Sequence, residues 1–439
     1  MYEKRDNEFI AWYPNSLAAI SDSNDPWKQK EAAFYVHIPF CSAICDYCGF
    51  SIEKLKGANT GSYLDCLLRE IAYYRDKLTN YQFICGHFGG GTPSAVDSEF
   101  VAEVMRHLRA NLLIESAAEV TIEVNPISAT EAKLESYLRD GFNRLSVGIQ
   151  SFNDPQLKVM GRPHRQSDVE SLLSIIAKQK WINWSVDIMF GIPGQTLKDV
   201  EGDIRRLIEI APPHISCFRL EVIPFTVLKL REFAGLLPQR LSEQTLLEMQ
   251  ELITCMLESA GYRHYGAFNY ALPGFESVHN KIAFTAPQGE YIGFGNSAYS
   301  YINDAIYCNH ADIDAYTSAV VSAGNGIVLS KAVSSREKMS RYFVLGLKFF
   351  EVSRSRFIDI FGIDPAYHFG DALTKLASED LIDIQGDIYT LTKKGKYYVN
   401  NVCKEFYTDE NKNRSQFPQF APTITRKQVE KYASLASQK

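Results

Sequence analysis

Between residues 34 and 222 the chain repeats one alternation of hydrophobic and polar positions. Short β-branched and apolar runs occupy 34–38, 83–88, 120–124, 144–149, 185–190 and 215–222. Glycine-rich turns follow several of them. Stretches with apolar residues at helical spacing then occupy 63–74, 99–110, 130–139, 168–178 and 197–209. A strand period that gives way to a helix period at this spacing predicts βαβ crossovers and a parallel sheet. Six strands are fewer than the eight of an ordinary closed α/β barrel, so an open or partial barrel is expected.

The alternation stops near residue 240. Residues 241–260 read as one amphipathic helix opening on Ser242, and 262–270 and 291–301 as short β patterns. From Ser334 the texture changes again. Helical patterns at 338–349, 354–361 and 368–378 precede a hairpin pattern around Gly386, which suggests a small winged-helix-like module. The expected division is an N-terminal arm (1–32, with Trp12 and Trp27), a partial barrel (33–240), a barrel extension (241–330), an α+β winged-helix-like module (331–407) and a polar tail (408–439) ending in a short helix. No repeat at a solenoid period interrupts this order.

Charge narrows the function. Lys and Arg total 46 against 52 Asp and Glu, a net charge of −6. A protein that binds nucleic acid through its bulk field needs the opposite sign. The basic turn Lys393-Lys394-Gly395-Lys396 therefore reads as a solvated tip rather than a DNA contact. The charged start and the absence of any eighteen-residue apolar run predict a cytoplasmic chain with no membrane partner.

Nine cysteines are too few for a disulfide scaffold, but three fall in Cys41-Ser42-Ala43-Ile44-Cys45-Asp46-Tyr47-Cys48, directly after the first strand. Three thiolates on one loop suit three irons of a cubane cluster and leave the fourth iron open. A three-cysteine zinc site completed by a histidine is an alternative on ligand type, and Cys45 with Cys48 alone would make a redox dithiol. The six other cysteines, Cys217 among them, lie scattered in apolar patterns and read as small buried hydrophobes.

Other candidate groups sit at predicted strand ends, where α/β proteins bind ligands. Gly89-Gly90-Gly91-Thr92 follows the second strand and reads either as a ligand cradle or as a tight βα turn. Glu123 ends the third strand, as a hydroxyl acceptor or as part of a helix-entry turn before Pro126. Gln150 ends the fourth, and Arg162 follows it. Asp187 lies inside the apolar fifth strand, where alternation places it on one face with Ser185 and Met189; it is either functional or a structural cap. Glu221 is assigned to the sixth strand, where a rim carboxylate is the other reading.

The run from Tyr35 to Phe50, with its three cysteines and Tyr47, resembles the signature of radical S-adenosylmethionine (SAM) enzymes. It is most similar to the branch of oxygen-independent coproporphyrinogen III dehydrogenases, heme chaperones and class C radical SAM methyltransferases, over about residues 33–405. The resemblance implies a partial (β/α)6 radical SAM barrel with a C-terminal module that covers the active site. It implies a [4Fe–4S] cluster on Cys41, Cys45 and Cys48 whose open iron binds SAM, and cleavage of that SAM to a 5′-deoxyadenosyl radical. It places Gly90, Gly91, Thr92 and Glu123 toward the first SAM; Tyr47, Gln150, Arg162 and Asp187, with Gly91 and Thr92 again, toward a second; Glu221 toward the second SAM or the substrate; and Tyr35 among the cofactor-binding residues. An electron donor such as flavodoxin or ferredoxin is the expected partner.

Two departures from the branch shape the functional expectation. Gly49-Phe50-Ser51-Ile52-Glu53-Lys54 lacks the further cysteine and basic residues of the coproporphyrinogen dehydrogenases. His279-Asn280-Lys281-Ile282-Ala283-Phe284 keeps the His-Asn of the heme chaperones' His-Asn-x-x-Tyr-Trp motif and lacks its Tyr-Trp. The expected activity is therefore methyl or methylene transfer from a second SAM to an sp2 carbon of a small unsaturated molecule, with Tyr47, Glu221 or Cys217 as base. Coproporphyrinogen-type decarboxylation and heme carriage are the alternatives.

Overall fold

A computed structural model describes residues 30–179, 181–412 and 426–436. Trp12 and Trp27 of the expected arm lie outside the described residues. The six predicted strands form as β1 (Lys30–Ile38), β2 (Tyr81–Gly90), β3 (Leu113–Val124), β4 (Arg144–Gln150), β5 (Trp184–Phe190) and β6 (His214–Arg219), paired in parallel in that order. Helices α1 (Thr60–Tyr74), α2 (Ser98–Asn111), α3 (Glu131–Arg139), α4 (Asp154–Val159), α5 (Gln166–Gln179) and α6 (Leu197–Ile210) lie between them. Thr130 and Thr196 cap α3 and α6, the latter in a reciprocal capping box with Asp199.

Strand parity separates two environments. Phe34, Val36 and Ile38 of β1 are fully buried in the main core with Leu67, Ile71 and Phe88. Of the intervening positions, Tyr35 packs against both His37 and His87 of β2 on the other face. One large cavity is lined from the carboxyl end of every one of these strands, by Cys41 after β1, Gly90, Glu123, Gln150, Asp187 and Cys217. The sheet thus curls around that cavity, the geometry expected of a partial α/β barrel.

The sheet is longer than six strands. A seventh parallel strand, Glu290–Phe294, pairs with β1 on its free side, Phe34 opposite Ile292, and an antiparallel meander continues the sheet beyond it. On the other edge Asn269–Ala271 runs antiparallel to β6. Glu221 is not on a strand: β6 ends at Arg219, and the chain turns through Pro224 and Phe225 (φ 66°) into α7 (Val227–Phe233). The helix expected at 241–260 is α8 (Glu243–Ser259), capped by Ser242.

The segment from Ser335 builds a second apolar core of its own, centred on Phe343, Phe357, Leu376 and Phe406. Helices Ser335–Gly346, Arg354–Phe361 and Ala366–Ser378 pack with the hairpin Ile382–Gln385 and Ile388–Leu391, whose second strand also pairs with Glu351–Ser353. Helix Arg426–Ala436 lies near the chain's end. No helix among the described residues is long and apolar enough to cross a membrane.

Candidate active site

The cavity measures about 490 Å³, within the ordinary range of small-molecule sites. Its floor is the cysteine loop and the strand ends. It is also lined by Ile223, Phe268 and Tyr270 and, from the C-terminal segment, by Lys348, Val399 and Asn400.

Local backbone rules explain why the loop and the glycine run lie together. Phe40–Cys41 pairs with Glu53–Lys54, folding the loop back on its own start. Gly91 and Thr92 donate to the carbonyls of Ile38 and Phe40, both at 2.9 Å. A Cβ on Gly91 would fall 2.6 Å from the Pro39 carbonyl carbon, so only glycine allows this approach. The Thr92 hydroxyl lies 3.5 Å from the Cys41 sulfur. No disulfide joins any of the nine cysteines among the described residues.

Arg162 connects the loop to β4. Its Nη1 donates to the Cys45 sulfur at 3.1 Å and its Nη2 to the Gly148 carbonyl at 2.6 Å, while its buried Nε has no partner. Gln150, at the end of the same strand, has φ 71°, a conformation that costs a non-glycine residue about 1–3 kcal/mol. Its side-chain Oε1 is buried and unpartnered, although the residue is only 8% exposed. Strain together with an unsatisfied acceptor on a cavity wall marks a group held for a ligand.

Two carboxylates face the same space. Glu123 accepts from His87 Nε2 at 2.8 Å. Asp187 accepts from Ser146 at 3.1 Å; burial, with the charge of Glu123 adding to it, raises its carboxyl to about 6. Asp187 and Met189 both line the cavity, as strand alternation requires. Burial also pushes the Cys41 thiol up to about 11, and those of Cys48 and Cys217 and the Tyr47 phenol further. Tyr47, Cys217 and Glu221 line the cavity as well, whereas Tyr35 lies below it, stacked on His87 with ring centroids 6.1 Å apart.

Several lining residues carry no sequence signal. Arg219 forms a fork-to-fork pair with Glu243 of α8, at 2.9 and 3.2 Å, and Tyr397 donates to the same carboxylate. Lys348 donates to Asn400 at 2.6 Å. His279, by contrast, is not a lining residue; its ring packs 5.2 Å from that of His87, and its Nδ1 is buried without a partner.

Three loop cysteines, a glycine cradle and two acidic groups gathered at the strand ends around one cavity make an α/β protein with a thiol-rich small-molecule site. Residues 35–207 match the radical SAM superfamily. A heme chaperone HemW of Lactococcus lactis is 32% identical over 387 residues, covering 87% of this chain and 99% of the relative. An oxygen-independent coproporphyrinogen III oxidase of Salmonella typhimurium is 27% identical over 434 residues, covering 92% and 94%. The solved structure of coproporphyrinogen III oxidase (HemN) from Escherichia coli, a radical SAM enzyme, superposes with a TM-score of 0.78 at 25% identity, covering 87% of this chain and 91% of that one. The chain belongs to the radical SAM superfamily, in the branch that holds HemW and HemN.

That family implies a [4Fe–4S] cluster and SAM, and the residues present fit both. Three thiols of one loop face the cavity, and the unpartnered Gln150 acceptor and the Arg162 guanidinium border it. The expectation of methyl transfer is not supported by these relatives, which are named heme chaperone and coproporphyrinogen III oxidase, the two alternatives.

Proposed function

We propose that this chain cleaves SAM reductively and abstracts a hydrogen atom from a small, largely apolar organic molecule held in the same cavity. The similarity in fold to the coproporphyrinogen III oxidase HemN supports this reading. The observation that carries the reading is the continuity of the cavity: cysteine loop, polar strand ends and the Lys348–Asn400 wall line one volume. A radical formed at the loop would meet its target without crossing solvent, which makes the second step effectively unimolecular.

Cys41, Cys45 and Cys48 would hold the cluster. The chemistry such a group supplies is one-electron cleavage of the SAM sulfonium to methionine and a 5′-deoxyadenosyl radical. Gly90 and Gly91 offer backbone groups to the methionine moiety. Glu123 and Asp187 accept from ribose hydroxyls, and Arg162 suits a carboxylate. Gln150, Arg162, Asp187, Tyr47 and Glu221 leave room for the reading in which a second SAM occupies the far side. Lys348, Val399 and Asn400 line the cavity, which supports a substrate-covering role for the C-terminal segment.

Anaerobic reconstitution with SAM and a strong reductant tests this. 5′-Deoxyadenosine formation, lost in Cys45→Ala, is expected. S-adenosylhomocysteine beside it would restore methyl transfer. A loaded cluster with no cleavage would overturn the reading in favour of heme carriage, the second reading, which the 32% identity to HemW favours. Heme binding lost in His279→Ala would then be the decisive measurement.

A further inference from the structure

The cysteine loop is gripped by two segments that supply none of its sulfurs. Asp46, between Cys45 and Cys48, donates its N–H to the Met160 carbonyl at 3.0 Å, and its own carbonyl accepts from Leu228 of α7 at 2.6 Å. Its carboxylate accepts from Arg231 of α7, and the same Arg231 Nη1 donates to the Val159 carbonyl at 2.8 Å. Gly161 (φ 67°) packs so closely that a Cβ there would lie 2.5 Å from the Asp46 carboxyl carbon. The next residue, Arg162, touches Cys45. Segments 45–46 and 159–162 therefore meet residue against residue, and Arg231 bridges them.

We propose that Arg231 is a positioning residue: through Asp46 and the Val159 carbonyl it fixes the register of the cysteine loop against the segment that carries Arg162. The proposal rests on the cluster-binding reading above and deepens it. One guanidinium nitrogen thus holds a carboxylate and a carbonyl together, on a side chain that stays charged at any working pH. Arg231 and Asp46 are each about four-fifths shielded, so solvent screens the pair less than an exposed one. The helix that carries Arg231 starts just past Ile223, whose Cδ1 lies 3.2 Å from a Cβ position on Gly49. Anchor and cavity wall thus belong to one short stretch.

The test uses the full chain with Arg231→Met, Arg231→Lys and Asp46→Asn. In metal-free, reduced protein the alkylation rate of Cys45 by iodoacetamide is measured against exposed Cys255, with buried Cys85 reporting intact folding. Losing the bridge should speed Cys45 about tenfold in Arg231→Met, less in Arg231→Lys, with no further gain in the Asp46→Asn/Arg231→Met double variant. An unchanged ratio in both Arg231→Met and Asp46→Asn would overturn the proposal; if Arg231→Met exposes Cys85, the milder Asp46→Asn decides. After reconstitution, the SAM concentration that half-shifts the electron paramagnetic resonance spectrum of the reduced cluster should rise about tenfold at unchanged iron content. A wild-type spectrum blind to SAM would sink the proposed function instead, and leaves the alkylation result to decide the clamp.

Discussion

Arg162 and Cys45 are in direct contact, guanidinium to sulfur at 3.1 Å, while the same side chain ties back to the Gly148 carbonyl. The contact puts a fixed positive charge beside Cys45, proposed above as a cluster ligand, on the cavity lining. Arg162→Met should therefore retain iron and sulfide but lose about two orders of magnitude of SAM cleavage, the scale of one or two charge-assisted hydrogen bonds. Iron content and 5′-deoxyadenosine yield, measured on the same sample, check it; parallel loss of both would mean that Arg162 serves only to seat the cluster.

Asp187 carries a pH signature. Its carboxyl titrates at about 6, raised chiefly by burial, so it is a full acceptor only above that value. SAM affinity should strengthen as pH rises through 6, and Asp187→Asn should bind about tenfold more weakly with that step absent. Stability runs the other way. The folded state holds this proton up to about 6, the unfolded chain only to about 4. Between those values the native state binds more protons, so stability falls as pH rises. At pH 7.5 Asp187→Asn should melt higher than the parent while working worse, the exchange expected of a carboxylate kept for function. Melting curves at pH 4.5 and 7.5 test the sign.

Much of this site is written in local pattern. Alternation in β5 puts Asp187 and Met189 on the cavity side, and the glycines after β2 announce a close backbone approach. What sequence did not reveal depends on long-range contact. Strand Glu290–Phe294 reads as an isolated β fragment until β1 pairs with it, some 250 residues earlier in the chain. Glu221 reads as the end of β6 because apolar residues continue to Val222, yet the positive φ of Phe225 belongs to a turn already begun. Lys348 sits in a helical pattern with nothing to mark it, since only tertiary packing carries it to the cavity.

Glu70 illustrates a buried carboxylate with a structural task. It accepts from the N–H groups of Gly295 and Gly326, from Asn309 Nδ2 and from the Tyr316 hydroxyl, at 2.7–3.0 Å. It thereby ties α1 to the antiparallel meander. Glu70→Ala would leave four buried donors unsatisfied and should cost about 3 kcal/mol or more. A large drop in Tm with unchanged cleavage rate at low temperature is expected. A loss of cleavage in protein shown to be folded would assign Glu70 a role beyond packing.

The cysteines should divide sharply. Cys45→Ala should reduce iron from about four atoms per chain to a small residue, whereas Cys217→Ala should leave it unaltered. Cys217 lines the cavity but burial keeps its thiol protonated well above neutral pH, an environment that suits packing better than proton transfer. If Cys217→Ala keeps the cluster and SAM cleavage yet abolishes product formation, the base assignment returns to it.

Lys348 is the cationic side chain that the second core brings to the cavity, buried and donating to Asn400. A charge taken out of water at an otherwise apolar wall is costly, and it is retained where it orients something. Lys348→Met keeps the length of the side chain and removes the charge. The variant should bind SAM and cleave it slowly without acceptor at the parent's rate, because Asn400, to which Lys348 donates, is not among the residues proposed to hold the cluster or SAM. A small organic acceptor that accelerates cleavage in the parent should need to be about tenfold more concentrated to do so in Lys348→Met. Equal acceleration in both proteins would remove Lys348 from the substrate wall and leave the Lys348–Asn400 bond as a tie within the second core.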